Sequence, residues 1–98
     1  MASFQATSSV AQQDDEIVAR VGTAAGKVAK IQQEFTMQSQ AETEPEVRDA
    51  LARRARDEAA RVIDEQGLSI ADYNAVLTAA ETDRALEQRL LEAAREVL

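Results

Sequence analysis

Paired carboxylates are the only arrangement in this sequence that offers raw material for acid–base catalysis or for holding a cation. Glu42, Glu44 and Glu46 crowd into five residues, and Glu92 and Glu96 share one helix face. A working pair of acids needs surroundings that push their pKa values apart, usually with a further proton-passing group nearby. The chain has no His and no Cys. It therefore offers no imidazole base, thiol nucleophile, disulfide, zinc site or histidine haem ligand. A calcium loop would need D-x-D-x-D-G followed by a distal Glu, and that spacing is absent. Phosphate-cradling glycine loops and nucleophile elbows are absent too. The expectation is solvated charges near helix ends, with weak cation binding at Glu42–Glu46 as the competing reading. No catalytic residue, no metal and no cofactor is expected.

The charge balance narrows the partners. Eighteen acidic and eleven basic residues leave a net charge of −7 on 98 residues, one domain's worth of chain. Nucleic acids and anionic bilayers need a positive patch that releases counterions, so neither is expected. The largest basic cluster, Arg53, Arg54, Arg56 and Arg61, is interleaved with Asp49, Asp57 and Glu58. Glu44 with Arg48, Asp49 with Arg53 and Asp57 with Arg61 run acid to base at four-residue spacing. Such pairs support a solvated helix by roughly 0.2–0.5 kcal/mol each. No uninterrupted apolar run approaches the roughly 18 residues of a membrane span.

The elements that must position these groups read as helices throughout. Ile17, Val21, Ala24, Val28, Ile31 and Phe35 form an unbroken heptad seam, behind acidic Asp14, Asp15 and Glu16. The spacing predicts a long first helix from Asp14 to about Gln40. Thr43 and Glu46 read as a capping box around Pro45 at the start of a second helix. That helix carries Val47, Leu51, Ala55, Ala59, Val62 and Ile63 on one face, and Gly67 followed by Leu68 should end it. Ser69 with Asp72 forms a second capping box before a short helix with Ile70, Tyr73, Val76, Leu77 and Ala80 on its inner side. Thr82 or Asp83 should cap a fourth helix carrying Leu86, Leu90, Ala93 and Val97. No alternating segment argues for a strand. The fold class is all-α, a long N-terminal helix in an antiparallel hairpin or bundle with a second long helix and two shorter ones. Residues 14–98 make one helical domain behind a flexible tail over 1–13.

Small residues form a stripe of their own. Val18, Gly22, Ala25, Gly26 and Ala29 lie beside the heptad seam, with Gly22 and Gly26 in GxxxG spacing. A glycine inside a helix costs about 1 kcal/mol relative to alanine, so two of them imply a packing reason. Close approach of another helix is that reason, with a kink or hinge as the competitor. Arg20, Lys27 and Lys30 exclude a membrane setting for the stripe. Twenty of the apolar residues are alanine, leaving 24 larger ones and only three aromatic side chains. So thin a core favours a second chain completing it, a dimer paired through Val18, Gly22, Ala25, Gly26 and Ala29.

The run Val62-Ile63-Asp64-Glu65-Gln66-Gly67-Leu68-Ser69, then Tyr73-Asn74, Ala79-Ala80-Glu81-Thr82-Asp83 and Leu86, resembles a small bacterial family. Val28-Ala29-Lys30-Ile31-Gln32-Gln33-Glu34-Phe35 is similar to that family's first helix. The family is catalogued as domain of unknown function 4168. The resemblance runs from about Asp14 to Val97, and Arg84 departs from it where the family often has proline. It implies a helical fold and an exported protein, and it implies no activity. On physical grounds Gly67 should take a left-handed backbone, and Tyr73 should bury its ring with its hydroxyl on a partner or water. Asn74 should hydrogen-bond to the Gly67 turn or a neighbouring helix end, an exposed ligand contact being the alternative.

Met1 to Ala11 is small, polar and uncharged, with Ser9 and Ala11 at the −3 and −1 spacing of a secretory cleavage site. The basic start and apolar segment of a working signal peptide are missing. The segment fits either the remnant of an export signal or an ordinary tail. Together these features predict a non-enzymatic structural or protein-interaction module of the bacterial envelope, self-associating, periplasmic or secreted. A periplasmic holdase-like helper with an open apolar groove is the alternative, and a cytoplasmic home remains compatible with the composition.

Overall fold

The computed structural model describes the backbone of residues 2–98 and the side chains of residues 15–98. Its first helix begins at Ala2 rather than at the expected Asp14, and the cleavage spacing at Ser9 and Ala11 falls among the residues whose side chains lie outside that description. The chain forms four helices: α1 (Ala2–Ala41), α2 (Pro45–Glu65), α3 (Ile70–Ala80) and α4 (Arg84–Arg95). There is no strand among the described residues. The all-α bundle expected from periodicity is the observed architecture, with α1 as the spine against which α2 and α4 pack.

A three-residue loop, Glu42–Glu44, folds α2 back along α1. Here the capping differs from the expected box. Pro45 is the first helical residue, so Glu44 is the N-cap, extended at φ −87° and ψ 122° and without a side-chain cap. A residue before proline is pushed out of the helical region, which moves the start one position past the Thr43 register. Glu42 orders the loop ahead of the helix: its Oε1 accepts from the Thr43 and Glu44 amides, both at 3.1 Å. Arg48 turns back and its Nε donates to the Glu42 carbonyl at 2.8 Å.

At the far end of α2 the backbone makes a Schellman turn. Gly67 sits at φ +74°, where a side chain would crowd its own carbonyl. Its N–H donates to the Asp64 carbonyl at 2.9 Å, and the Leu68 N–H reaches the Ile63 carbonyl at 3.2 Å. Leu68 and Ile63 are both buried, giving the apolar contact that accompanies this turn. The Ser69 Oγ then accepts from the Asp72 amide at 3.0 Å to start α3. Asp83 starts α4, its Oδ1 accepting from the Leu86 amide at 3.1 Å, while the Thr82 hydroxyl donates to the Ala79 carbonyl. Of the two candidates, Asp83 is the cap.

The helices enclose a core at one end only. Val18, Val21, Ala24, Ile63, Leu68, Tyr73, Ala80 and Leu90 make one buried cluster. Leu86 lies near Val18, Leu90 and Ala93 near Gly22, and Ala94 and Val97 near Gly26, so α4 runs parallel to the first half of α1. Ile70, expected on the inner side of α3, is 55% exposed. The ion pairs among the described residues are Glu16–Arg20 and Asp15–Arg89, the second tying α1 to α4. The expected pairs Glu44–Arg48, Asp49–Arg53 and Asp57–Arg61 are not formed. Exposed pairs contribute so little that side-chain freedom wins.

Gly67→Ala should lower stability by about 1–2 kcal/mol, because alanine must occupy the left-handed region. Gly67→Asn, which tolerates that region better, should cost less. Urea denaturation of the two variants checks the order, and an equal or smaller loss for alanine would contradict the turn's role.

Candidate functional site

The small-residue stripe has an owner inside the chain. A Cβ on Gly22 would collide with the Ala93 Cβ and stand 2.9 Å from the Leu90 carbonyl oxygen. One on Gly26 would collide with the Val97 side chain and stand 2.7 Å from the Ala94 carbonyl oxygen. Both glycines are the contact line between α1 and α4, and Val18, 5% exposed, belongs to the same core. Ala25 is half-buried and Ala29 is exposed. The stripe expected to pair with a second copy is covered by α4 of the same chain, and only its Ala29 end stands clear. The expected tight packing is present and its partner is internal. α1 continues as one helix through both glycines.

The corner motif divides by burial. Leu68 and Tyr73 are buried, whereas Gly67, Ser69, Asn74 and Asp83 face solvent. Burial raises the Tyr73 phenol above its usual 10.0, because the phenolate would lose hydration. No buried side-chain nitrogen or oxygen among the described residues lacks a hydrogen-bond partner, so Tyr73 leaves no orphaned group inside. Asn74 makes no side-chain hydrogen bond to the Gly67 turn and stands exposed on α3.

The carboxylates are dispersed. Glu42 is engaged with backbone amides, Glu44 and Glu46 are exposed around the start of α2, and Glu92 and Glu96 are exposed on α4. No group of three or more acidic side chains that could hold a metal occurs among the described residues. No helix of the described residues is long and apolar enough to cross a membrane.

Two apolar features remain; periodicity pointed to the residues of the second but not to its lying uncovered, and it pointed to the first not at all. The first is a cleft of about 270 Å³ between α1, α3 and α4, walled by Ala25, Leu77, Leu90 and Leu91 and flanked by Glu81 and Glu87. Its signal in the sequence is the adjacent pair Leu90-Leu91: neighbours on a helix point about 100° apart, so both cannot enter one seam. Leu90 is buried and Leu91 is 43% exposed. The second is the outer half of the α1–α2 hairpin. No residue from Lys27 to Val62 is buried, although Val28, Ile31, Phe35, Leu51 and Ala55 all lie on its inner seam. α4 ends beside Gly26, so among the described residues no third helix lies over the hairpin beyond it.

A family model, domain of unknown function 4168, matches residues 3–90. The chain belongs to that family. The match starts ahead of the Asp14–Val97 stretch whose motifs carry the resemblance, and it spans α2, α3 and the Gly67 corner. No curated protein and no solved structure matches the chain.

Two outcomes follow from this geometry. Gly22→Ala should destabilise by about 1–3 kcal/mol through the clash with α4, despite a helix-propensity gain of about 1 kcal/mol. A stabilised variant in chemical denaturation would show that the contact is loose. For Tyr73 the folded-state pKa is raised, so its contribution is intact below pH 10 and is lost as pH rises above that value. Urea midpoints measured from about pH 8 to pH 11 should fall less steeply for Tyr73→Phe than for the parent.

Proposed function

We propose that this chain is a non-enzymatic helical interaction module that self-associates, working in the bacterial envelope. The observation that supports it is the coreless hairpin: no residue from Lys27 to Val62 is buried, yet the segment carries a regular apolar seam. Helices in proteins draw most of their stability from packing an amphipathic face, so a seam with one covering helix is half-satisfied. Another protein laid over it would complete the packing. The absence of His and Cys from the whole sequence weighs against catalysis and metal transport. The envelope reading draws on the exported proteins of the family it resembles and on the small residues Ser9 and Ala11.

The α1–α3–α4 cleft favours a second reading, a holdase-like helper that covers apolar segments of unfolded proteins. It differs in needing the cleft to stay open in the free protein. Suppression of client aggregation by the parent, lost in Leu91→Glu, would favour it over self-association.

Sedimentation velocity across roughly 10–500 µM should show a concentration-dependent dimer. A monomer at every concentration would remove the self-association reading. Mass spectrometry of the native protein should find a mature start near Gln12; a start elsewhere would remove the cleavage argument for export.

A further inference from the structure

The charge of the molecule is segregated along its length. From Lys27 to Arg61 there are seven basic and seven acidic residues, so the coreless hairpin is electrically balanced. The whole net charge of −7 lies elsewhere, −2 over residues 1–26 and −5 over residues 62–98. On one side of the hairpin, α1 and α2 leave a shallow groove of about 70 Å³. Half-buried Ile31, Phe35 and Leu51 line it, together with exposed Glu34 and Arg54 and half-buried Glu58.

We propose that this groove face of the hairpin docks a second copy of the chain, antiparallel, so that two hairpins form a four-helix bundle. The proposal rests on the self-association reading and assigns its surface. A two-fold interface sets one patch against itself, so the patch must be complementary to its own copy. A uniformly acidic face fails that condition. A face holding Arg54 together with Glu34 and Glu58 meets it, because the arginine of each copy can lie beside a glutamate of the other. The cleft flanked by Glu81 and Glu87 fails it, since like charges would meet across the axis. Antiparallel docking also holds the two acidic ends apart, whereas parallel docking would place them side by side.

The area is compatible with a weak dimer. A face about 25 Å long and two helix diameters, about 20 Å, wide buries on the order of 1,000 Å² in total, near the lower limit for specific association. A cationic partner is a poorer fit to this surface, because the field that would attract it comes from the acidic end.

The test is sedimentation equilibrium of the full chain, comparing the parent with R54E and R84E. Both substitutions change the charge by the same amount at exposed positions, one on the groove and one at the acidic end. R54E leaves three acidic groups around the groove and should raise the dimer Kd at least about tenfold. R84E should raise it less than about threefold, with far-UV helix content unchanged in both. Equal weakening, or no weakening by R54E, would overturn the assigned face while leaving self-association standing. A parent that stays monomeric at about 0.5 mM would overturn both and leave the hairpin to a different protein.

Discussion

Gly22 and Gly26 set the distance between α1 and α4, and most of the structure follows from that distance. At each position an alanine Cβ would run into the side chain and backbone of α4. Helix axes normally pack 8–10 Å apart according to the side chains between them, and glycine at the contact permits the short end of that range. A close approach brings Val18, Val21 and Ala24 into a core with Leu90, Ile63 and Tyr73. Side chains of modest volume then suffice to fill it. With only 24 apolar residues larger than alanine, wider spacing would leave voids, and voids in a core are costly.

The same contact divides the chain. α4 is short and ends beside Gly26, so the third and fourth helices reach only part of the way along the spine. Below that level the helices share a core and the Gly67 corner. Above it, α1 and α2 have only each other. Local stability follows burial, so the hairpin is the part expected to exchange amide protons first and to gain most from a partner. The acidic charge gathers at the cored end and the balanced charge on the hairpin, which keeps a neutral surface where burial is incomplete.

Motifs with a mechanical reason behind them were legible, and motifs resting on side-chain choice were less so. Gly67 followed by Leu68 is a backbone requirement together with an apolar contact, and both halves appear. Asp83 and Ser69 cap as their types dictate. Thr43 does not, because Pro45 takes the first helical position and shifts the cap to Glu44. The three expected ion pairs on α2 fail for a different reason. Exposed charges have many nearly equal arrangements, and Arg48 finds a fixed carbonyl better than a mobile carboxylate. Asn74, expected to bond to the Gly67 turn or a neighbouring helix end, makes no side-chain hydrogen bond to that turn and faces solvent.

The sequence by itself determined four helices, their order, the turn at Gly67 and the all-α class, because periodicity, caps and glycine act over a few neighbouring residues. It also carried the motifs of the family to which the chain belongs. Only the tertiary structure decided which partner the small-residue stripe accepts. Helical spacing shows that a face is narrow, but not whether a helix of the same chain or of another lies against it. Once α4 took that face, the uncovered surface moved to the hairpin around Ile31, Phe35 and Leu51. That displacement depends on where α4 stops in space, and no local pattern encodes it.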